Sequence, residues 1–307
     1  MIEKYLLPLP HGITLSCRAA GERGRPVLLF LHGFPEAAFV WDELLAHFAR
    51  PEHGGYRCVA PNLRGFERSS SPADAKAYRP KQLVQDIAAL IAIEAGDAPL
   101  ACLVAHDWGG AVAWNLANQQ PQLMTRLAII NSPHPGTFLR DLRDSPKQQQ
   151  ASAYMNFLIR PDAERLLAEN DYQRLWGFFS SWGGADWLTE AVRQQYREVW
   201  NGPAGGPPGA GLVGGCNYYR ASPLRPPRAE DPAAAAVTLP PEMLRIGLPT
   251  LVLWGMDDVA LPPELVEGLD DYIPRLRLEK VAGASHWIVH ERPQFVAERL
   301  GAFLQSA

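Results

Sequence analysis

Apolar residues recur along the chain in short unbroken runs, separated by longer segments with helical spacing. Val27–Leu31 reads V-L-L-F-L, and the stretches 100–105, Leu127–Ile130 and 250–254 resemble it. A run of four to six apolar residues without polar alternation is what a strand covered on both faces requires. Residues 80–94 place Leu83, Val84, Ile87, Leu90 and Ile91 on one helical face, and 39–49 and 293–305 read as further helices. Residues 3–19 read as two strands turning at Pro10-His11-Gly12, with two more strands at 58–61 and Leu276–Val281. Another helix follows residue 105 at once and stops at Pro121. Alternating buried strands and helices predict an α/β fold with a mainly parallel central sheet flanked by helices.

The rhythm breaks over 137–235, where stretches rich in Trp, Tyr and Gln read as helices, followed by a loop. Ten of the fourteen residues from Gly202 to Gly215 are Gly or Pro, which predicts an irregular segment. Regular alternation returns only at 244. The reading is therefore a core of residues 1–136 and 236–307, with residues 137–235 as a helical cap, or lid, inserted over the sheet. Ala233–Ala236 is a short alanine run in a loop or short helix, and there is no internal repeat.

Composition narrows the function. The 307 residues carry a net charge of −4, so no basic field invites nucleic acid or an anionic membrane. No window of about 18 apolar residues predicts a membrane span. The start Met1-Ile2-Glu3-Lys4 does not read as a signal peptide. Cys17, Cys58, Cys102 and Cys216 form no C-x-x-C pair, and a reducing, cytoplasmic setting is expected. No histidine–carboxylate cluster has metal-ligand spacing, and no glycine fingerprint follows a strand, so neither a metal nor a dinucleotide cofactor is expected. Gly and Pro are abundant, at 26 and 28 residues, with proline well above its usual share of about 5%.

The sharpest local signal is His106-Asp107-Trp108-Gly109-Gly110 at a strand-to-helix junction. Small residues, Ala105 and Gly109, stand two before and two after Asp107, as a strained elbow demands. An aspartate before a helix is also an ordinary cap. Three other segments give the elbow its chemical sense. His32-Gly33-Phe34-Pro35, Gly255-Met256-Asp257-Asp258 and Gly283-Ala284-Ser285-His286-Trp287 each follow a predicted strand. The order nucleophile, acid, histidine is that of the elbow-bearing hydrolases.

Together these motifs resemble the α/β-hydrolase superfamily and, within it, the epoxide hydrolases with an aspartate nucleophile. The likeness is carried by His32-Gly-Phe-Pro-Glu36, Arg64-Gly65, the elbow, Trp254-Gly-Met-Asp-Asp258 and Ser285-His-Trp287. Asn217-Tyr218-Tyr219-Arg220 resembles the family's segment with a lid tyrosine, and Tyr154 lies where a second lid tyrosine is expected.

The resemblance implies Asp107 as nucleophile, with His286 oriented by Asp258 as the base that activates water. It further implies Tyr154 and Tyr219 as holders of the epoxide oxygen, and the backbone N–H groups of Phe34 and Trp108 as oxyanion donors. Tyr218 is the neighbour most readily confused with Tyr219, and Asp257 competes with Asp258. His32 and His106 read as structural, and Glu36 as a helix-start residue or a contact of the site. The expected partners are a small apolar epoxide and water, with a homodimer left open.

A haloalkane or haloacid dehalogenase is the alternative with the same nucleophile. Phe34 stands where such enzymes commonly carry Asn, and Trp108 where fluoroacetate dehalogenases carry Arg. The lid tryptophans Trp176, Trp182 and Trp187 keep this alternative in play. A non-catalytic small-molecule-binding protein of the same fold is the third reading.

Overall fold

The computed structural model describes residues 1–181, 185–202, 206–228 and 231–306. Trp182 and residues 203–205 of the Gly/Pro stretch lie outside the described residues. The strands are β1 (Glu3–Pro8), β2 (Thr14–Ala20), β3 (Val27–Leu31), β4 (Arg57–Pro61), β5 (Cys102–His106), β6 (Leu127–Ile130), β7 (Thr250–Gly255) and β8 (Leu276–Val281). They form one sheet in the order β1-β2-β4-β3-β5-β6-β7-β8. The β1–β2 and β2–β4 pairs are antiparallel, and every pair from β4 to β8 is parallel.

Every residue of β3 to β7 is buried, as their unbroken apolar runs require. Alternate side chains feed two different cores. Leu29, Leu31, Leu103 and Ala105 join one, and Leu28, Phe30, Cys102 and Val104 the other. The helices α1 (Asp42–Phe48), α2 (Pro80–Glu94) and α3 (Trp108–Gln119) alternate with the first strands, and α11 (Ile288–Glu291) and α12 (Pro293–Gln305) close the chain. Buried residues of α1 and α12 pack on one face of the sheet, those of α2 and α3 on the other.

Between β6 and β7 run α4 (Pro135–Asp144), α5 (Pro146–Ala151), α6 (Ala153–Leu158), α7 (Ala163–Ser181), α8 (Glu190–Asn201), α9 (Val213–Ala221) and α10 (Pro232–Ala235). Their apolar residues, among them Leu167, Leu175, Phe179, Tyr196 and Trp200, continue the core of the α2–α3 face. Helix α7 is broken by Asn170, Asp171 and Tyr172, all left-handed with φ of 52°, 52° and 61°. Left-handed non-glycine residues cost about 1–2 kcal/mol each. Arg197 on the Asp171 carboxylate (2.8 Å) and the Trp176 indole N–H on the Asp171 carbonyl (2.6 Å) hold the break.

The structure departs from the pattern reading in three places. The predicted 39–49 helix is a 3-10 turn, Ala38–Trp41, running into α1. Strand β5 runs on through His106, so the elbow follows without a linker. Helix α9 starts at Val213, so Gly214 and Gly215 are helical rather than part of an irregular loop. Composition alone reads these glycines as flexibility, but tertiary packing uses their missing side chains. A Cβ on Gly215 would stand 2.6 Å from Phe34 Cδ2, and one on Gly214 would collide with the backbone of Gly65. Among the described residues, no helix is long and apolar enough to cross a membrane.

Candidate active site

The elbow is built where β5 turns into α3. Asp107 adopts φ 49° and ψ −121°, a conformation that costs a non-glycine residue roughly 1–3 kcal/mol. The turn is held by Ser132, whose hydroxyl donates to the Asp107 carbonyl at 2.6 Å. It is permitted by Gly109, where a Cβ would overlap the Leu31 carbonyl. The carboxylate is thus lifted off the strand end while staying largely buried, with 13% of its side chain exposed. The Phe34 N–H donates to Asp107 Oδ1 at 2.8 Å. Trp108 opens α3, so its N–H is one of the donors that a helix start leaves without an intrahelical partner.

The loops after β7 and β8 bring up the other two groups. His286 is buried, with Nδ1 2.7 Å from Asp258 Oδ2 and Nε2 3.8 Å from Asp107 Oδ2. Asp258 is 2% exposed and fully hydrogen-bonded. Asn131 Nδ2 donates to its Oδ2 at 2.7 Å, and the N–H groups of Ala260 and Leu261 to its Oδ1 at 2.9 and 2.8 Å. Asn131 also accepts the Gly255 N–H at 3.0 Å, which fixes the Asp258 loop to the end of β6. Burial alone would push the His286 imidazole down. The charge and hydrogen bond of Asp258 outweigh burial, with Asp107 and Glu36 adding to them, and His286 is raised to about 9.

Tyr154 and Tyr219 face each other from α6 and α9, with ring centroids 6.0 Å apart. Tyr219 also packs edge-on against Trp108 at 5.0 Å and Phe34 at 5.4 Å. Both phenols are pushed well above their ordinary range, first by burial; the Asp107 and Asp258 charges add to this at Tyr154, and the Tyr154 phenol and the Asp107 charge at Tyr219. Tyr218 points elsewhere: its hydroxyl donates to the Arg64 carbonyl at 3.0 Å. Asp257, the competitor of Asp258, is exposed, and its N–H donates to the Ala284 carbonyl at 2.9 Å.

His32 is buried, and its Nε2 accepts the Leu63 N–H at 3.0 Å. Burial holds it down at about 4, as a neutral brace. His106 spans Glu36 Oε2 and the carbonyl of His286, each at 3.0 Å. Glu36, which the sequence left between two roles, is fully buried and also 2.6 Å from His290 Nε2, with Tyr196 of α8 donating to it at 3.2 Å. Burial opposes its ionisation, yet the hydrogen bonds from His106 and His290 prevail and hold it well below the usual carboxylate range.

Sequence reasoning missed Asn131 and Tyr196, and it read His290 as a residue of the surface or one that supports the site from behind. The one local signal, for Asn131 alone, was the Asn131-Ser132 pair that follows the end of β6 as the elbow follows β5.

Replacing Glu36 with Ala leaves His106 and His290 without their anion. A loss of about 3 kcal/mol is expected, read by urea unfolding at pH 7. Because the Glu36 carboxyl is depressed in the folded state, its contribution is present above pH 4.5 and fades as pH falls further. The difference between wild type and variant should therefore shrink in acid.

An eight-stranded, mainly parallel sheet with an aspartate elbow, a histidine and a second aspartate at its strand ends defines an α/β-hydrolase architecture. The family model of the alpha/beta hydrolase fold matches residues 26–293. The chain is 33% identical over 297 residues to an AB hydrolase superfamily protein of Bacillus subtilis, spanning 96% of each chain. It is 32% identical to mouse epoxide hydrolase 4, over 98% of this chain and 79% of that one. A solved structure described among novel epoxide hydrolases of metagenomes from hot environments superposes with a TM-score of 0.86, at 35% identity over the full length of both chains. This chain therefore belongs to the α/β-hydrolase superfamily, in the branch that contains the epoxide hydrolases.

Proposed function

We propose that this protein is an epoxide hydrolase, adding water to an apolar epoxide to give a vicinal diol. The observation that carries the reading is Asp107, an aspartate at a nucleophile elbow facing His286 at 3.8 Å, with the paired phenols of Tyr154 and Tyr219 close enough to feel its charge. Relatives named epoxide hydrolases, at 31–32% identity over nearly the whole chain, support it. A carboxylate suits displacement at saturated carbon, where it forms an ester on the enzyme. In the first step Asp107 attacks an epoxide carbon, the C–O bond of the ring breaks, and the alkoxide takes a proton from the Tyr154–Tyr219 pair. The raised phenols keep their protons until that alkoxide, a stronger base, appears.

The charge balance then changes in favour of the second step. In the resting site Asp107 is one of the charges that raise His286. Esterification removes that charge, so the imidazole weakens as an acid trap and becomes available as a base. It takes a proton from water, which attacks the Asp107 carbonyl carbon. The oxyanion forms where the Phe34 N–H already meets Oδ1 at 2.8 Å, with the Trp108 N–H as second donor. Its collapse breaks the ester bond to the diol oxygen, which takes the proton held by His286, and the proton left on the Asp107 carboxyl returns to the phenolate, restoring the resting site. The helices of 137–235 then act as a cap that brings both tyrosines over the core, and no cofactor takes part.

A dehalogenase would need indole N–H groups aimed at the nucleophile. Trp176 donates instead to the Asp171 carbonyl, Trp187 stacks on His290 at 3.9 Å between rings, and Trp182 lies outside the described residues.

A single turnover in heavy-oxygen water with excess enzyme tests the reading. Label is expected in the Asp107 carboxylate and absent from the first diol. Label mainly in that diol would sink the ester route, and halide release from chloro- or bromoalkanes without epoxide turnover would favour the dehalogenase.

A further inference from the structure

Tyr218 and Tyr219 are successive residues of α9, so they leave the helix about 100° apart. Tyr219 turns toward Phe34, Trp108 and Tyr154. Tyr218 is buried against Phe66, Tyr78 and the other edge of Trp108, at 5.6, 5.5 and 5.4 Å between rings. Its hydroxyl ends on the Arg64 carbonyl at 3.0 Å. That carbonyl belongs to a tightly held residue. The Arg64 guanidinium grips Asp86 of α2 with two bonds, Nε to Oδ2 at 2.7 Å and Nη2 to Oδ1 at 2.6 Å, and Nη1 donates to the Ala77 carbonyl at 2.8 Å. His11, from the β1–β2 turn, adds a contact to Asp86 Oδ1 at 2.7 Å.

The next residue, Gly65, has φ +89°, and its N–H is bound to the Ser70 carbonyl at 2.9 Å. A Cβ there would stand 2.6 Å from Gly214 Cα, so core loop and inserted helix meet backbone to backbone. Asn217 Nδ2 adds a bond to the Ala73 carbonyl at 3.3 Å. One face of α9 is therefore clamped to the core by a glycine contact, an amide and a phenol, while the adjacent face carries the phenol over Asp107.

We propose that Tyr218, seated on the carbonyl of the Arg64–Asp86 pair, is a positioning residue for Tyr219. The proposal rests on the reading of Tyr219 as a proton donor, and it assigns Arg64 and Gly65 a task in ring opening that their distance from the chemistry conceals. The reason is leverage. A phenol oxygen stands about 9 Å from the helix axis, so a rotation of about 10° moves it by roughly 1.5 Å. An error of about 1 Å in a reacting group can cost about 100-fold in rate. A helix held at the Tyr218 hydroxyl cannot make that rotation. Because the tyrosines serve ring opening alone, the clamp acts on the first half-reaction and leaves ester hydrolysis to His286 and Asp258.

The test is stopped-flow tryptophan fluorescence of the full chain with styrene oxide, which separates ester formation from ester hydrolysis. Tyr218→Phe removes one oxygen and keeps the ring contacts. It is expected to slow ester formation by about 5- to 50-fold and to leave hydrolysis within about twofold. Gly214→Ala, which keeps the phenol but pushes α9 off Gly65, is expected to give the same split and serves if Tyr218→Phe does not fold. Equal losses in both half-reactions, or unchanged ester formation in both variants, would overturn the proposal. Tyr219→Phe is the control: if it opens the epoxide normally, the donor reading itself fails, and this proposal with it. If it is slow while Tyr218→Phe and Gly214→Ala are normal, only the positioning role falls.

Discussion

Asp107→Ala is expected to lower epoxide turnover by about 10,000-fold or more, the scale seen when a nucleophile is deleted. No neighbour can take over the attack. Asp258 is committed to His286 and to three further donors, and Glu36 is buried between His106 and His290. The fold should survive, because the elbow is held by its backbone: Ser132 binds the Asp107 carbonyl, not the carboxylate. The variant should therefore melt within about 3 °C of wild type. It also has a readout independent of substrate. With the Asp107 charge removed, His286 loses one of its raising influences, and its imidazole should titrate below the value of about 9. Proton NMR of the buried Nδ1–H resonance against pH measures that shift. An unmoved His286 titration would separate Asp107 from the histidine, whatever the turnover showed.

His286→Gln should have the second-largest effect, and of a different kind. Ring opening needs Asp107 and a proton donor but no base, so the ester should still form. Its hydrolysis needs a proton taken from water, and loss of general-base help costs about 100- to 10,000-fold. The variant should therefore stop after one turnover as an adduct heavier by the mass of the epoxide, visible by intact-mass spectrometry. A folded variant exposed to a proven substrate and showing no adduct would count against the role. Folding is expected, because Asp258 keeps the Asn131 amide and the Ala260 and Leu261 N–H groups after its histidine is gone.

The same substitution carries a pH signature in stability. A histidine raised in the folded state from 6.5 to about 9 stabilises fully below pH 6.5, and that contribution is lost as pH rises through 9. The stability difference between wild type and His286→Gln should thus be largest near pH 6 and close by about pH 9. A difference that grew with pH would mean a histidine held neutral.

The strands β3 to β7 could be located from sequence because each is buried along its whole length, and an unbroken apolar run is a local property. β8 sits at the sheet edge with most of its side chains only partly covered, and its letters L-R-L-E-K-V carry no unbroken apolar run. The elbow was legible for a related reason. A strained turn must have small flanking residues within two positions of its centre, so its demand appears in adjacent letters.

Other parts of the site depend on residues that are remote in the chain. Glu36 meets His290 across 254 positions and Tyr196 across 160, and Asn131 reaches Asp258 across 127. No periodicity or spacing encodes such pairs, because each is made only when separate strand ends and an inserted helix are brought together.

The glycines of α9 show the division most plainly. By itself the sequence determined that Gly and Pro crowd the stretch before Tyr219, and its resemblance to a family named Tyr219 rather than Tyr218 for the proposed site. Only the tertiary structure decided that Gly214 and Gly215 are helical, that they admit the backbone of Gly65 and the ring of Phe34, and that Tyr218 ends on the Arg64 carbonyl while Tyr219 packs against Trp108. Helical geometry sets the angle between the two tyrosines, but which of them turns inward is set by what the helix rests upon.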